Sequence, residues 1–531
     1  MGVLQWLGLR DQPAPRARAE PRVPRIRHDS LRNYLGASND RLVEDLASWS
    51  GIKSANAGMS WTLRALRDRS RHLFRNNEHA KAFLRALRNN VPGPNGFALQ
   101  MQVMKTRGGK LDEDANSTIE AEFANFSRLG TFSVCGKYSR AMFERAAIAS
   151  LARDGEVLIQ KVRGFRGNRY AFAVRLLDPD LLDERLNVPF GGSRPDGVRL
   201  PLEHEIRMGV ERDGFERPRA YWMLNRHPGD DLNYALPKGI YRRFPAEQLI
   251  HAFVVDELQP GSVRGVPPLA PAIRRMALLS GYEEAALVAA RTGAAKMGFF
   301  TEAGEDSDPA ETSAVADAKT DTGDLITEAE PGVFGKLPRG WGFETFDPAY
   351  PNDAMPDFVK HMLRAFAAGV GVSYHTISTD LEGVNYSSIR QGTLDDRDCY
   401  RVLQGWMRES IVLPIFETWL GDALAMGAIG RLPTDEDALQ RFNKPLFIGR
   451  GWTWVDPKGD TEADQIALRQ FTKSRSEICA ERGRDFEDVL KDHARERELA
   501  KTYGVDLVAL DAKVTENPKD KPAEGQGEGN G

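Results

Sequence analysis

Three aspartates fall within four positions of TLDDRDCYRVL, at Asp395, Asp396 and Asp398. Clustered carboxylates are the groups that hold divalent cations, and with a metal they would suit a nuclease acting on nucleic acid. No Asp, Glu or His recurs elsewhere at ligand spacing, so the trio reads as an exposed helical face, with no metal and no cofactor expected. Nucleotide chemistry is not signalled either. No G-x-x-x-x-G-K-[ST] occurs, and Gly369-Val370-Gly371 follows a helix where a dinucleotide fingerprint would follow a strand. H-E-x-x-H and G-x-S-x-G are absent, and His204-Glu205 has no second His at the right offset. No enzymatic activity is expected. Lys360 and Arg364, four apart, share one helical face, while Phe358, Met362 and Phe366 share another. A basic stripe of that kind can meet phosphates without reading sequence, or can pair with acids on neighbouring helices.

The elements around these residues change character along the chain. With 531 residues, 41% hydrophobic, 72 basic and 76 acidic side chains and a net charge of -4, the composition supports several cores and does not mark a net-basic nucleic-acid binder. Three scattered cysteines suggest neither a zinc site nor a disulfide framework and suit a reducing cytoplasm, and no apolar run reaches membrane-spanning length. No secretory leader is read at the N-terminus. Residues 1–59 form a basic, proline-bearing arm, with seven Arg against three acids over 10–32. Leu63, Leu66, Leu73, Phe83, Leu84 and Leu87 recur at helical spacing, interrupted near Asn76-Asn77. Arg64, Arg67, Arg71, Arg75, Lys81, Arg85 and Arg88 fall opposite them as a solvated basic face. Helices follow over about 115–126 and 139–152. The period then shifts to two, predicting strands at 156–162, 170–177, 205–211, 220–224 and 249–255, with Asp213-Gly214 as a hairpin turn. Together these predict the α+β class with mostly antiparallel pairing.

A long helix is expected over 268–296, opened by Pro267-Pro268 and carrying Ala285, Ala286, Ala289, Ala290 and Ala294 as a small-residue packing surface. Residues 302–330 hold ten acids and one lysine, which predicts an exposed acidic insertion. A short strand at 340–346 precedes a second helix, 356–369, which Gly369 and Gly371 can stop in the left-handed conformation. The polar run after it reads as an irregular loop, with Ser387 or Ser388 capping a helix from about Ile389 to Gly427, bent near Pro414. Short charged helices fill 457–504, Ser474-x-x-Glu477 matching a capping box, and 505–531 is low-complexity tail.

The wording of several stretches adds to this. AAGVGVSYHTISTDLEGVNYSSIRQG at 367–392 resembles the hallmark segment of lambda-type tailed-phage portal proteins. ARDGEVLIQKV at 152–162, HPGD at 227–230, PGSVRGVPPLAPAI at 260–273 and SRSEICAERGRDFEDVL at 474–490 agree with that family in the same order, so the resemblance spans about Ser60 to Gly504. It implies a dodecameric homo-oligomeric ring at one capsid vertex, in the virion after assembly in the host cytoplasm. Double-stranded DNA would pass through the ring non-specifically. Its expected partners are the terminase large subunit, which supplies ATP hydrolysis, the major capsid and scaffold proteins, and a head-tail connector protein, with no membrane. It also implies a layout: wing 60–256, first stem helix within 257–296, clip 297–355, second stem helix 356–369, a tunnel loop near 374–392 with a long helix inside 370–456, and crown 457–504. Lys360, Arg364, Asp380, Glu382, Asn385 and Tyr386 are then candidates to face the DNA channel, and the five alanines to face a neighbouring subunit. A metal-dependent nuclease and a non-viral ring scaffold are the alternatives.

Overall fold

The computed structural model describes residues 54–105, 111–230, 240–255, 260–294, 298–302, 341–345, 355–382, 386–430, 432–433, 437–452, 457–482 and 484–505. The basic arm over 10–32, the acidic insertion beyond Glu302 and the tail after Val505 lie outside the described residues. The mixed helix-and-sheet class holds. Helices α1 (Ala55–Asn76), α2 (Glu78–Asn90), α3 (Glu113–Phe126) and α4 (Arg140–Asp154) come first, and β1 (Ala98–Met101) lies between α2 and α3. Asn77 separates α1 from α2 because its side chain accepts the Ala80 amide, an N-cap that restarts the helix. Ser139 caps α4 in the same way, and Gly155 ends it at φ +83.

Strands β2 (Val157–Arg163), β3 (Phe172–Leu177) and β8 (Leu249–Ala252) form one antiparallel sheet, ordered β3-β2-β8. The second sheet is a meander of β4 (Glu205–Arg207), β5 (Val210–Arg212), β6 (Pro218–Leu224) and β7 (Tyr241–Pro245). The expected single strand over 205–211 is therefore two strands. Met208 at φ +48 and Gly209 at φ +83 make the tight turn between them, a turn that demands two left-handed residues. Methionine there carries none of the usual turn signal.

Helix α5 (Ile273–Ala294) begins five residues later than expected. Residues 268–272 instead form successive turns, with Ala270 N–H on the Pro267 carbonyl and Ala272 N–H on Leu269. Pro271 has no N–H to offer such a ladder. The strand pair β9 (Gly298–Glu302) and β10 (Trp341–Thr345) follows. After it come α6 (Met355–Val370), α7 (Tyr374–Ser378) and α8 (Tyr386–Met407). A five-residue π-helical turn, Arg408–Val412, joins α8 to α9 (Leu413–Ala425), with Pro414 in the first turn of α9. The break in regular α-helix thus falls just before the proline, where a bend was expected, and takes the form of a π-helical turn. Helix α10 (Ala438–Phe442) leads into β11 (Pro445–Ile448), which pairs antiparallel with β1. Helices α11 (Pro457–Arg469), α12 (Arg475–Glu481) and α13 (Phe486–Thr502) close the described chain, and the Ser474–Glu477 capping box forms as expected.

One large core runs from Leu73 to Phe447 and draws on α1 to α6, α8 and α9 as well as β2, β3, β8 and β11. Its centre is aromatic: Phe123 packs edge-on against Trp419 at 5.0 Å and Phe416 at 5.2 Å, and Phe126 stacks on Trp419 at 5.7 Å. The segment after the second long helix therefore folds into the core begun by the N-terminal helices.

Candidate functional site

Two constructions hold the residues singled out above. The first is the junction of α6, α7 and α8. Gly371, at φ +72, ends α6, whereas Gly369 remains helical. The following segment is more ordered than its composition suggests, because α7 occupies 374–378 and α8 has already begun at Tyr386. Ser387 and Ser388 are therefore inside a helix and do not cap it. Asp396 supplies the reason. It is buried, and its carboxylate accepts the Ser373 amide at 2.6 Å, the Ser373 hydroxyl at 2.8 Å and the Thr376 hydroxyl at 2.6 Å. It is thus an anchor for α7, contrary to the exposed-face reading. Asp395 and Asp398 are exposed and turn to Gln391 and Arg401 instead, so the three carboxylates do not converge. An Asp396→Ala change leaves the Ser373 amide without its partner, costing about 1–3 kcal/mol. Thermal unfolding, and protease cleavage within 374–382, should register that loosening.

Beyond α7 the chain folds back on itself. The Tyr374 hydroxyl donates to Asp380 Oδ2 at 2.9 Å, His375 Nδ1 donates to the Asp380 carbonyl at 2.8 Å, and the Glu382 amide donates to Asp380 Oδ1 at 2.9 Å. Lys360 Nζ of α6 is 3.6 Å from Asp380 Oδ2, and the Arg364 guanidinium lies 5.6 Å from the Tyr374 ring centre. The Glu382 amide, the Tyr374 hydroxyl and Lys360 hold the Asp380 carboxyl below its usual range. The structure thus brings Lys360, Arg364, Asp380 and Glu382 into one turn. Asn385 lies outside the described residues, as does the Tyr386 side chain. On the other side of α6, Leu363, Phe366 and Ala367 are buried, and Phe358 meets Tyr282 of α5 edge-on at 4.9 Å.

The alanines of α5 do not act as one surface. Ala286 is buried within the chain and Ala289 half-buried, while Ala285 and Ala290 are exposed; the Ala294 side chain lies outside the described residues. The large apolar side chains that α5 leaves exposed are Leu278, Leu287 and Val288, at 62%, 70% and 59%.

The second construction was not legible beforehand: a buried ion network where three of the quoted stretches meet. Glu156 takes Arg264 Nε at 2.9 Å, His251 Nε2 at 2.9 Å and the Gly265 amide at 3.3 Å. Arg67 bridges Glu156 and Asp180, and Arg71 joins Asp154, Asp178 and Asp180 at 2.7, 2.8 and 2.6 Å. Arg64 reaches Glu184 at 3.0 Å. The solvated face expected for Arg64, Arg67 and Arg71 is thus largely an interior one; of the set, Arg75, Lys81, Arg85 and Arg88 are exposed. The Gly229 amide donates to His227 Nδ1, so the ring carries its proton on Nε2, 3.3 Å from Asp180. Asp178, Asp180 and His227 bring three ligand atoms within 4.8 Å of one another. Arg67 and Arg71 already neutralise those carboxylates, so the cluster is an ion-pair network. Packing is equally close: a Cβ on Gly155 would sit 2.2 Å from the Val266 carbonyl carbon, and one on Gly265 would sit 2.1 Å from the Gly155 oxygen.

This network knits ARDGE, HPGD and SVRGVPP into one structural joint, and the α6–α7–α8 turn is built from the longest of the quoted stretches. Residues 44–404 match the family "Phage portal protein, lambda family". The "Probable portal protein" of Halomonas phage phiHAP-1 is 33% identical over 506 residues, covering 95% of this chain and 94% of that protein. "Portal protein B" of Escherichia phage lambda is 22% identical over 165 residues, 30% of this chain and 31% of that one. Among solved structures, a chain in the virion of a native gene transfer agent particle aligns at a TM-score of 0.37 and 12% identity, covering 82% of this chain and 97% of that one. The chain belongs to the lambda family of phage portal proteins.

Proposed function

We propose that the chain works as a structural conduit: twelve copies form a ring at a capsid vertex, double-stranded DNA passes through the centre, and the terminase large subunit and then a head-tail connector protein dock on the ring. The observation that carries this reading is the near full-length similarity to a phage portal protein. On this reading 60–256 is mainly wing, α5 and α6 are the stem, 297–355 the clip and 457–504 the crown. The exposed Leu278, Leu287 and Val288 of α5 suit a subunit contact. The turn after α6 is the channel segment, with Lys360 and Arg364 presenting positive charge that symmetry multiplies into rings. Phosphate contacts carry no sequence information, as a conduit for any DNA requires. The partial exposure of the Lys360–Asp380 pair, about one third on each side chain, leaves it weak enough to exchange partners.

The double change Lys360→Ala with Arg364→Ala tests the assignment. Rings of normal stability with DNA packaging or retention reduced by tenfold or more are expected. Unaltered packaging would remove these residues from the channel, and lost rings would make them subunit contacts.

A further inference from the structure

Several separate parts of the chain place basic groups around Asn89 and Asn90, at the carbonyl end of α2. Arg145, from α4, reaches the carbonyls of Arg88 and Gly93 at 3.2 Å each and the Asn89 side-chain oxygen at 3.3 Å. Arg450, just beyond β11, donates to the Asn89 carbonyl and, at 3.1 Å, to the Asn90 side chain. The Trp452 indole N–H meets the same Asn90 oxygen at 2.9 Å. Its ring carries two guanidiniums of α8, Arg397 at 5.8 Å and Arg401 at 5.6 Å. Gln404 of α8 fixes the arrangement, donating to the carbonyls of Asn90, Val91 and Arg450 at 3.0–3.1 Å.

We propose that this surface binds the phosphate backbone of duplex DNA, with Arg88, Arg145 and Arg450 gathered at the end of α2. It rests on the portal reading for its partner and adds a contact surface apart from the α6–α7–α8 turn.

Among the described residues, Arg88, Arg145 and Arg450 contact no carboxylate, so their charge is uncompensated. Burial and the nearby charge of Arg88 push the Arg145 guanidinium down, as crowded like charges do. Each guanidinium has five N–H donors in a rigid plane, and the carbonyls hold these groups in place while occupying only part of that set. Of the two guanidiniums on Trp452, Arg401 is already paired with Asp398 at 2.7 Å, so the phosphate contacts fall to the groups at the end of α2. Lys81, Arg85 and Arg88 are exposed at i, i+4 and i+7 of α2 and extend the charge over about 10 Å, close to the rise of three base pairs. An acidic protein surface would meet the same charge. The repeat along a helix face and the preset guanidinium planes favour a regular polyanion.

The test uses full-length assembled protein and a fluorescent random-sequence duplex of about 30 base pairs, read by anisotropy across a salt series. Arg85→Gln with Arg88→Gln is the main variant, since neither side chain caps a backbone group. Arg217→Gln, exposed on the β5–β6 connection, is the control. The proposal expects duplex affinity to fall about tenfold and the log–log salt slope to shrink by about two, near 0.9 per lost phosphate contact. Thermal unfolding and ring images should stay unchanged, and Arg88→Lys should restore most of the binding. Unchanged affinity and slope would overturn it and leave an acidic protein as the occupant. An equal drop in the control would reduce the effect to net charge. Loss of rings would make the face a subunit contact. In the first two cases intact rings leave the portal reading standing.

Discussion

Replacing Glu156 by alanine should destabilise the fold by about 3–5 kcal/mol, because it strands a fully buried guanidinium. Arg264 has 0% exposure, and beyond Glu156 its hydrogen-bond partners among the described residues are the carbonyls of Leu182, Met208 and Pro179. Those carbonyls satisfy donors without cancelling charge. The expected result is loss of folded protein at growth temperature and a large drop in the urea midpoint. The double replacement Glu156→Met with Arg264→Met should recover much of it, since removing both charges removes the desolvation cost of each. Equal stability of Glu156→Ala and the unaltered chain would contradict the network's role. The network should also make the protein acid-labile. Burial alone would raise the Glu156 carboxyl, but Arg264, then Arg67, outweigh it and hold it well below its usual range. Burial pushes His251 down, with Glu156 partly offsetting. Both groups therefore take up protons more readily in the unfolded chain. Their stabilisation is complete above about pH 6.5, declines as pH falls through the ordinary histidine range, and declines again below about pH 4.3.

The second large effect is expected at Gly155→Ala. A side chain there meets two penalties at once. The residue sits at φ +83, which costs a non-glycine residue about 1–2 kcal/mol, and its Cβ would lie 2.2–2.6 Å from backbone atoms of Val266 and Pro267. Backbone cannot rotate away, so overpacking adds about 1–3 kcal/mol. Gly130→Ala separates the two terms, because Gly130 has φ +87 with nothing within 4 Å of a new Cβ. Unfolding midpoints should rank the unaltered chain first, Gly130→Ala next and Gly155→Ala well below. Equal losses at the two sites would show that the close approach to Val266 is not rigid.

Where the physics is local, the sequence was readable. The Ser474 capping box, the glycine stop at 371 and the helix irregularity next to Pro414 each depend on a few neighbouring residues. Where partners lie far apart in the chain, it was not. Arg67 and Arg71 look like any arginines on an amphipathic helix until Asp178 and Asp180, more than 100 positions away, fold against them. Asp396 resembles its exposed neighbours because only the path of 373–376 brings amide and hydroxyl donors to it. Strand β1 found its partner β11 some 350 residues later, and a four-residue strand has too little period to announce itself. Its pairing closes the chain back onto the first helices, so the core crosses what the sequence suggested were successive regions. The α5 alanines differ in exposure for a simpler reason: composition marked them as small without saying which side of the helix the rest of the chain would cover.

The central claim is that this chain is one subunit of a closed DNA-conducting ring. Native mass measurement of the purified assembly, with negative-stain images of the same sample, tests it most directly. Twelve copies of a 59.1 kDa chain give about 710 kDa in a hollow ring with rotational symmetry. A stable monomer or dimer at micromolar concentration, with no ring on the grid under any salt condition, would contradict the account.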